Sequence, residues 1–207
     1  TNNFFEILNT DYSSHDKLLE MFKKNSQKDM RNCLISFVGS GKMEGEFPYT
    51  RKEVQRIWDI NYFFNRNLAT AITKFLSEND AYNKEGKASH IFTSSIASSK
   101  NVNAPIDYSA AKGALEIFIK NLSTYIAPKQ RINTISPGHI YTPTGTWGLK
   151  SKQNKKEVIS MIKESIPIAR LGKIDDLTNF YLFFLSEFSS YVTGTNFVID
   201  GGISAKQ

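Results

Sequence analysis

Tyr108-Ser-Ala-Ala-Lys112 sets a phenol and an ammonium four residues apart. On a helix that spacing stacks both side chains on one face, with Cβ atoms about 5–6 Å apart. A free tyrosine titrates near about pH 10, and a fixed positive charge beside it favours the phenolate. Such a charge could bring Tyr108 into range for proton transfer at neutral pH. Taken alone, the pair reads as an ordinary surface helix turn with a partly exposed Tyr and Lys; its context changes that reading. Thirteen residues before Tyr108, the run His90-Ile-Phe-Thr-Ser-Ser95 reads as a buried strand ending in hydroxyls, the last of which could meet the phenol across a cleft. Downstream, Arg131-Ile-Asn-Thr-Ile-Ser136 reads as a further strand, stopped by the turn pair Pro137-Gly138.

The elements that must hold these groups follow from pattern. Phe4 to Leu8 is short and apolar enough for a strand, and Asp11 to Ser14 offers helix-capping residues before the apolar Leu18, Leu19, Met21 and Phe22. Cys33 to Val38 reads as a strand closed by Gly39-Ser-Gly41, where backbone could approach a ligand closely. Thr50 through Leu76 reads as one long amphipathic helix with Asn61 on its apolar stripe, where a polar amide needs a partner. Tyr108 to Ala127 is the helix bearing the pair; Ala110, Ala111, Gly113 and Ala114 are small enough for close packing, on another copy or on the sheet. Gly-, Lys-, Ser- and Asn-rich sequence to Lys156 has the make-up of a mobile polar lid. Helices over Val158–Ile166 and Asp175–Leu185 and a strand over Asn196–Ile199 complete the alternation. Strands alternating with helices predict an α/β fold, a three-layer doubly wound parallel sheet of Rossmann type, as one domain over 1–207. Ligands of such sheets bind beyond the strands' carboxyl ends, where Gly39, Ser95 and Pro137-Gly138 fall.

In this order the motifs resemble the short-chain dehydrogenase/reductase family. The pieces are Asp59-Ile-Asn61, Thr93-Ser-Ser95, Tyr108-Ser-Ala-Ala-Lys112, Ser136-Pro137-Gly138 with Thr142, and Val192-Thr193-Gly194 through Val198-Ile-Asp200-Gly201-Gly202. The resemblance implies an oxidoreductase that moves hydride between NAD or NADP and a substrate carbon. Tyr108 would serve as general acid/base, Lys112 would lower its pKa and hold the nicotinamide ribose, and Ser95 would position the substrate oxygen. Asn61 would interrupt its helix and hold a relay water. Pro137, Gly138, the backbone at Ile140 and the Thr142 hydroxyl would grip the carboxamide, Gly39 would border the ribose on the adenosine side, and Asp11 would lie near the adenine. The four-residue spacing sets the pair apart from the enoyl-reductase branch, whose lysine stands farther along. One departure is evident: where the family carries Asn-Asn-Ala-Gly, this sequence reads Ser36-Phe37-Val38-Gly39.

The family's opening strand, glycine-rich turn and helix, which receive the pyrophosphate, have no counterpart before Asp11, and the resemblance implies that this portion precedes Thr1. The residues that would separate NAD from NADP fall there. No class signature after Thr142 identifies the substrate; a carrier-bound β-ketoacyl group, a nucleotide sugar and a small alcohol all fit the resemblance.

Composition narrows the alternatives. One cysteine, Cys33, excludes an internal disulfide framework and points to a reducing, cytoplasmic setting, with Cys33 expected in the core. No apolar run reaches about 18 residues, so no membrane partner is expected. The net charge of +6 comes from scattered lysines, the densest group being Lys150 to Lys156 in a stretch without interleaved aromatics, so no nucleic-acid partner is expected. No metal is expected, and the family implies a homodimer or homotetramer. A non-catalytic binding or scaffold relative of the same fold is the competing reading, resting on Ser36-Phe37 and the absent glycine-rich turn.

Overall fold

The computed structural model describes residues 14–26, 28, 31–83 and 87–206. The expected strand over Phe4–Leu8 and the candidate adenine-side Asp11 lie outside them.

Helix α1 (His15–Asn25) starts at Ser14, whose hydroxyl accepts from the Lys17 N–H. Strand β1 (Leu34–Ser36) follows, then α2 (Arg51–Trp58), capped by Thr50, and α3 (Phe64–Glu78). Between α2 and α3, Asp59–Phe63 form a π turn, so the single helix expected over Thr50–Leu76 is interrupted at Asn61. The cause is local. The Asn61 amide donates to the Ile57 carbonyl, which an ordinary turn would give to the Asn61 backbone, and the Phe64 N–H bonds to Asp59 five residues back.

Strand β2 (Ala88–Thr93) leads through a 3-10 turn (Ile96–Ser98) to α4 (Ile106–Ile126), and then come β3 (Gln130–Pro137), α5 (Thr146–Gln153), α6 (Lys155–Ser165), α7 (Ile174–Leu185) and β4 (Asn196–Ile199). The four strands pair in parallel in the order β1-β2-β3-β4. Successive strand residues face opposite sides, and two of the three apolar clusters among the described residues follow that alternation. Phe92 and Ile132 pack with Leu68, Leu76, Leu115 and Ile119 on the face covered by α1, α3 and α4. Ile91 and Ile135 pack with Tyr181 and Phe184 of α7 on the other. Fully burying each such side chain stabilises the fold by about 1.5–3 kcal/mol before entropy is counted.

Two expectations are corrected. The Lys-rich stretch expected as a polar loop forms α5 and the start of α6, because Asn154 ends one helix and caps the next, accepting from the Glu157 N–H. Cys33 is exposed rather than in the core, since it precedes β1, the outermost strand of the described sheet.

Candidate active site

Helix α4 presents Tyr108 in its first turn and Lys112 one turn later. Tyr108 is half-buried with the Ser95 side chain near its phenol, while Lys112 is buried. Ser95 caps the 3-10 turn after β2, its oxygen accepting from the Ala97 N–H at 3.2 Å, so it approaches Tyr108 from a fixed turn. The carboxyl end of β2 thus supplies Ser95, as the topology requires.

The electrostatics differ from the expectation that Lys112 lowers the phenol's pKa. Burial pushes the Tyr108 phenol up, and the neighbouring Ser95 side chain only partly offsets this. The Lys112 ammonium is directed at backbone oxygens, donating to Thr93 at 2.8 Å and Val38 at 3.4 Å. Desolvation pushes its own pKa down to about 8, with the Glu116 carboxylate pulling upward. The site therefore holds a protonated phenol beside an ammonium that can lose its charge at mildly alkaline pH.

The loop after β1 closes over this pair. A Cβ on Gly39 would stand 2.6 Å from Lys112 Nζ and 2.8 Å from Asn61 Oδ1, so only glycine fits. Gly41 lies against the Tyr108 ring, 3.7 Å from where its Cβ would be. Asn61 fastens the loop in both directions: Oδ1 accepts from the Ser40 N–H at 3.0 Å and Nδ2 donates to the Ser40 carbonyl at 2.9 Å. Its amide is engaged with backbone, which gives it a clamping role in the structure.

Asn65, one turn beyond Asn61, was not singled out by the motifs. Its Oδ1 accepts from the Ser36 hydroxyl at 2.7 Å and its Nδ2 donates to the Val38 carbonyl at 3.2 Å. Ser36 and Asn65 together brace the end of β1 where the family carries paired asparagines. The available signal was a second amide on the same apolar stripe.

The residues expected at the carboxamide stand one strand over. Pro137 ends β3, and Gly138 packs so closely on Asp200 that a Cβ would meet it at 2.7 Å, which docks the Asp200-Gly201-Gly202 turn against the strand end. Ile140 forms a parallel bridge with Gly172 through bonds made by its neighbours: His139 O accepts from Gly172 N, and Tyr141 N donates to Gly172 O. Thr142 is wrapped by Gly145 and Gly148 at the start of α5. The structure thus brings Ser95, Tyr108, Lys112, Asn61 and Gly39 together, and sets Pro137, Gly138, Ile140 and Thr142 along the exit of β3.

A cleft of about 550 Å³ opens between the loop following the Ser95 turn and helices α5 and α6. Lys100, Asn103, His139, Trp147, Lys150 and Met161 are among its lining residues. His139 stacks on Trp147 with ring centroids 4.1 Å apart, and the Lys150 ammonium lies 4.9 Å from the Trp147 centroid. Burial and the neighbouring Lys150 push the His139 pKa down to about 4, leaving the ring neutral at physiological pH. Among the described residues, no cluster of three metal-ligating side chains exists, and no helix is long and apolar enough to cross a membrane.

Known proteins match this architecture. A family model described as enoyl-(acyl carrier protein) reductase matches residues 3–204. Isoepoxydon dehydrogenase of Penicillium expansum is 31% identical over 196 residues, covering 93% of this chain and 71% of that protein. Sorbose reductase of Schizosaccharomyces pombe is 35% identical over 128 residues, covering 60% of this chain and 48% of that protein. The chain therefore spans about half to about seven tenths of the length of these curated relatives. A short-chain type dehydrogenase/reductase from Mycobacterium ulcerans superposes with a TM-score of 0.82 at 21% identity, covering 96% of this chain and 70% of that one, a likeness of fold. With nearly the whole chain matched by the family model, and motif and sheet in the same order, the chain belongs to the short-chain dehydrogenase/reductase family.

Proposed function

We propose that the protein is an NAD(P)-dependent oxidoreductase interconverting a carbonyl and a hydroxyl, and that Ser95, Tyr108 and Lys112 carry the proton side of that reaction. When bound, the nicotinamide supplies or accepts the hydride. The observation that carries the reading is the convergence of three side chains: Ser95 close enough to the Tyr108 phenol to favour its ionised form, and the Lys112 ammonium one helical turn beyond on the same helix.

The donor set suits the dinucleotide's nicotinamide ribose. An ammonium has three donors; two of those of Lys112 engage Thr93 and Val38, leaving one for a sugar hydroxyl. Gly39 keeps the approach to that ammonium clear of a side chain. Asn61 holds the Gly39–Gly41 loop in place through Ser40, and in this reading the Ile140 backbone and the Thr142 hydroxyl grip the carboxamide. Ser95 donates a hydrogen bond to the substrate oxygen, and Tyr108, held in its acid form by burial, gives that oxygen a proton in the direction of carbonyl reduction.

The cleft walled by α5, α6 and the loop after the Ser95 turn takes the remainder of the substrate; Ser95, Tyr108 and Lys112 do not line it, and the link to them is chain continuity through that loop and through His139 beyond β3. A carrier-bound β-ketoacyl group, a nucleotide sugar and a small alcohol or ketone stand as candidates. The exposed stripe of Ile106, Ala110, Ile117 and Tyr125 on α4 supports a homodimer or homotetramer. A cytoplasmic setting accords with the single cysteine, Cys33.

The reading is tested on the full-length protein by following reduced dinucleotide absorbance with a panel of ketones, β-ketoacyl thioesters and keto sugars. Carbonyl-dependent loss of NADH or NADPH is expected. Absence of both dinucleotide binding and turnover would favour a non-catalytic relative.

A further inference from the structure

We infer that Glu116 is a positioning residue of the site: its carboxylate ties the turn bearing Ser95 to the helix bearing Tyr108 and Lys112, and supplies the counter-charge to the Lys112 ammonium. The inference rests on the reading above for its catalytic consequence, though not for its electrostatic one.

Glu116 lies on α4 four residues beyond Lys112, which puts the two on one face. A single oxygen, Oε1, accepts from the Ser98 hydroxyl and from the Ser136 hydroxyl, each at 2.7 Å. Ser98 belongs to the 3-10 turn that Ser95 caps, and its hydroxyl and N–H both reach the Ser95 carbonyl, at 2.7 and 3.0 Å. Ser136 is fully buried in β3 and stands 2.9 Å from Asn196 Oδ1 of β4. Each serine hydroxyl has one proton and two candidate acceptors, and a charged acceptor holds it more strongly than a neutral one. The carboxylate is therefore the group on which the turn after β2, strand β3 and helix α4 converge. Gly113 packs on the same turn, 3.6 Å from the Ser98 carbonyl to its Cβ position, so the seam between helix and turn is tight.

The second half of the argument is charge. The groups around the Lys112 ammonium are the Thr93 carbonyl from β2, the Val38 carbonyl and Gly39 from the loop after β1, and Tyr108 from its own helix. Asn61, packed on Gly39, is neutral, and burial keeps Tyr108 protonated. Glu116 is the carboxylate that offsets the desolvation of Lys112.

The test compares the wild-type protein with Glu116→Gln, which keeps an amide oxygen for the two serines and removes the charge. The readouts are the titration of Lys112 by lysine 13C NMR, the Tm and, with a turned-over carbonyl, kcat and KM. Expected are a Tm within a few degrees of wild type, a Lys112 midpoint lowered by about 0.2–0.4 pH units, and a kcat reduced several-fold with KM little changed. Ser98→Ala should leave the Lys112 midpoint in place and lower kcat. A folded Glu116→Gln protein with the wild-type Lys112 midpoint overturns the inference. If that variant does not fold, Glu116→Asp, which withdraws the charge by one methylene, gives the same comparison with a smaller shift. If the wild-type protein turns over no substrate, the oxidoreductase reading fails while the Lys112 titration still decides the role of Glu116.

Discussion

The Ser95 side chain, on the turn after β2, lies near the Tyr108 phenol at the start of α4, and burial of that phenol keeps it protonated rather than ionised. The pair is thus set as an acid, with the Lys112 ammonium held apart on two carbonyl oxygens.

That arrangement fixes a pH dependence. The phenol stays in its acid form throughout the neutral range, whereas Lys112 loses its proton as pH rises through about 8. Carbonyl reduction should be level through neutral pH and decline as pH rises through that value, as read from kcat/KM profiles. A profile that instead rises through pH 8 would mean that the charged lysine is dispensable or that the phenolate is the working form.

Gly39→Ala should cost dinucleotide affinity. A methyl there meets both the Lys112 ammonium and the Asn61 amide inside 3 Å, and the ammonium can yield only by leaving its carbonyl partners. Overpacking of this kind destabilises by about 1–3 kcal/mol, so denaturant midpoints should fall along with calorimetric affinity for NADH and NADPH. Unchanged affinity would show that the loop moves aside freely.

His90 makes the fold acid-sensitive. The ring is fully buried, Nε2 pairs with Gln130 at 3.0 Å, and among the described residues Nδ1 finds no partner. Burial pushes its pKa down to about 4, below the unfolded value of 6.5. The unfolded chain therefore binds the proton first, so stability is complete above pH 6.5 and falls as pH drops toward 4, by roughly 3 kcal/mol. Urea denaturation across that window should show the slope, and His90→Gln should flatten it without abolishing it, since His139 titrates in the same direction. An equal slope in the variant would assign the acid sensitivity elsewhere.

Much of the site was legible because its residues come as local spacings. Tyr108 and Lys112 share a helix face by their separation alone, and Ser95 follows from a strand that ends in hydroxyls. Asn61 was visible as a polar residue on an apolar stripe, and the structure gives it a partner in Ser40. What escaped notice depends on contacts distant in sequence. The bond between Ser36 and Asn65 spans 29 residues: the amide on the apolar stripe shows that Asn65 needs a partner, and nothing local shows which. Helix α5 and the first turn of α6 escaped for a different reason, although the rest of α6 was expected from Val158 on: lysine-rich sequence without a strong apolar stripe reads as loop, while the Asn154 cap and the packing of Gly145 and Gly148 on Thr142 make it helical. The direction of the Tyr108 shift was misjudged because spacing shows which charges are near and not how deeply the phenol is buried, and here burial wins.

Tyr108→Phe tests the central claim most directly. It removes the proton donor and leaves the ring that packs on Gly41 and the ammonium that would hold the ribose. The account predicts that single-turnover reduction of a carbonyl substrate falls by a factor of about 100 or more, with dinucleotide affinity close to wild type. Turnover near the wild-type rate in a variant that still binds the dinucleotide would contradict it.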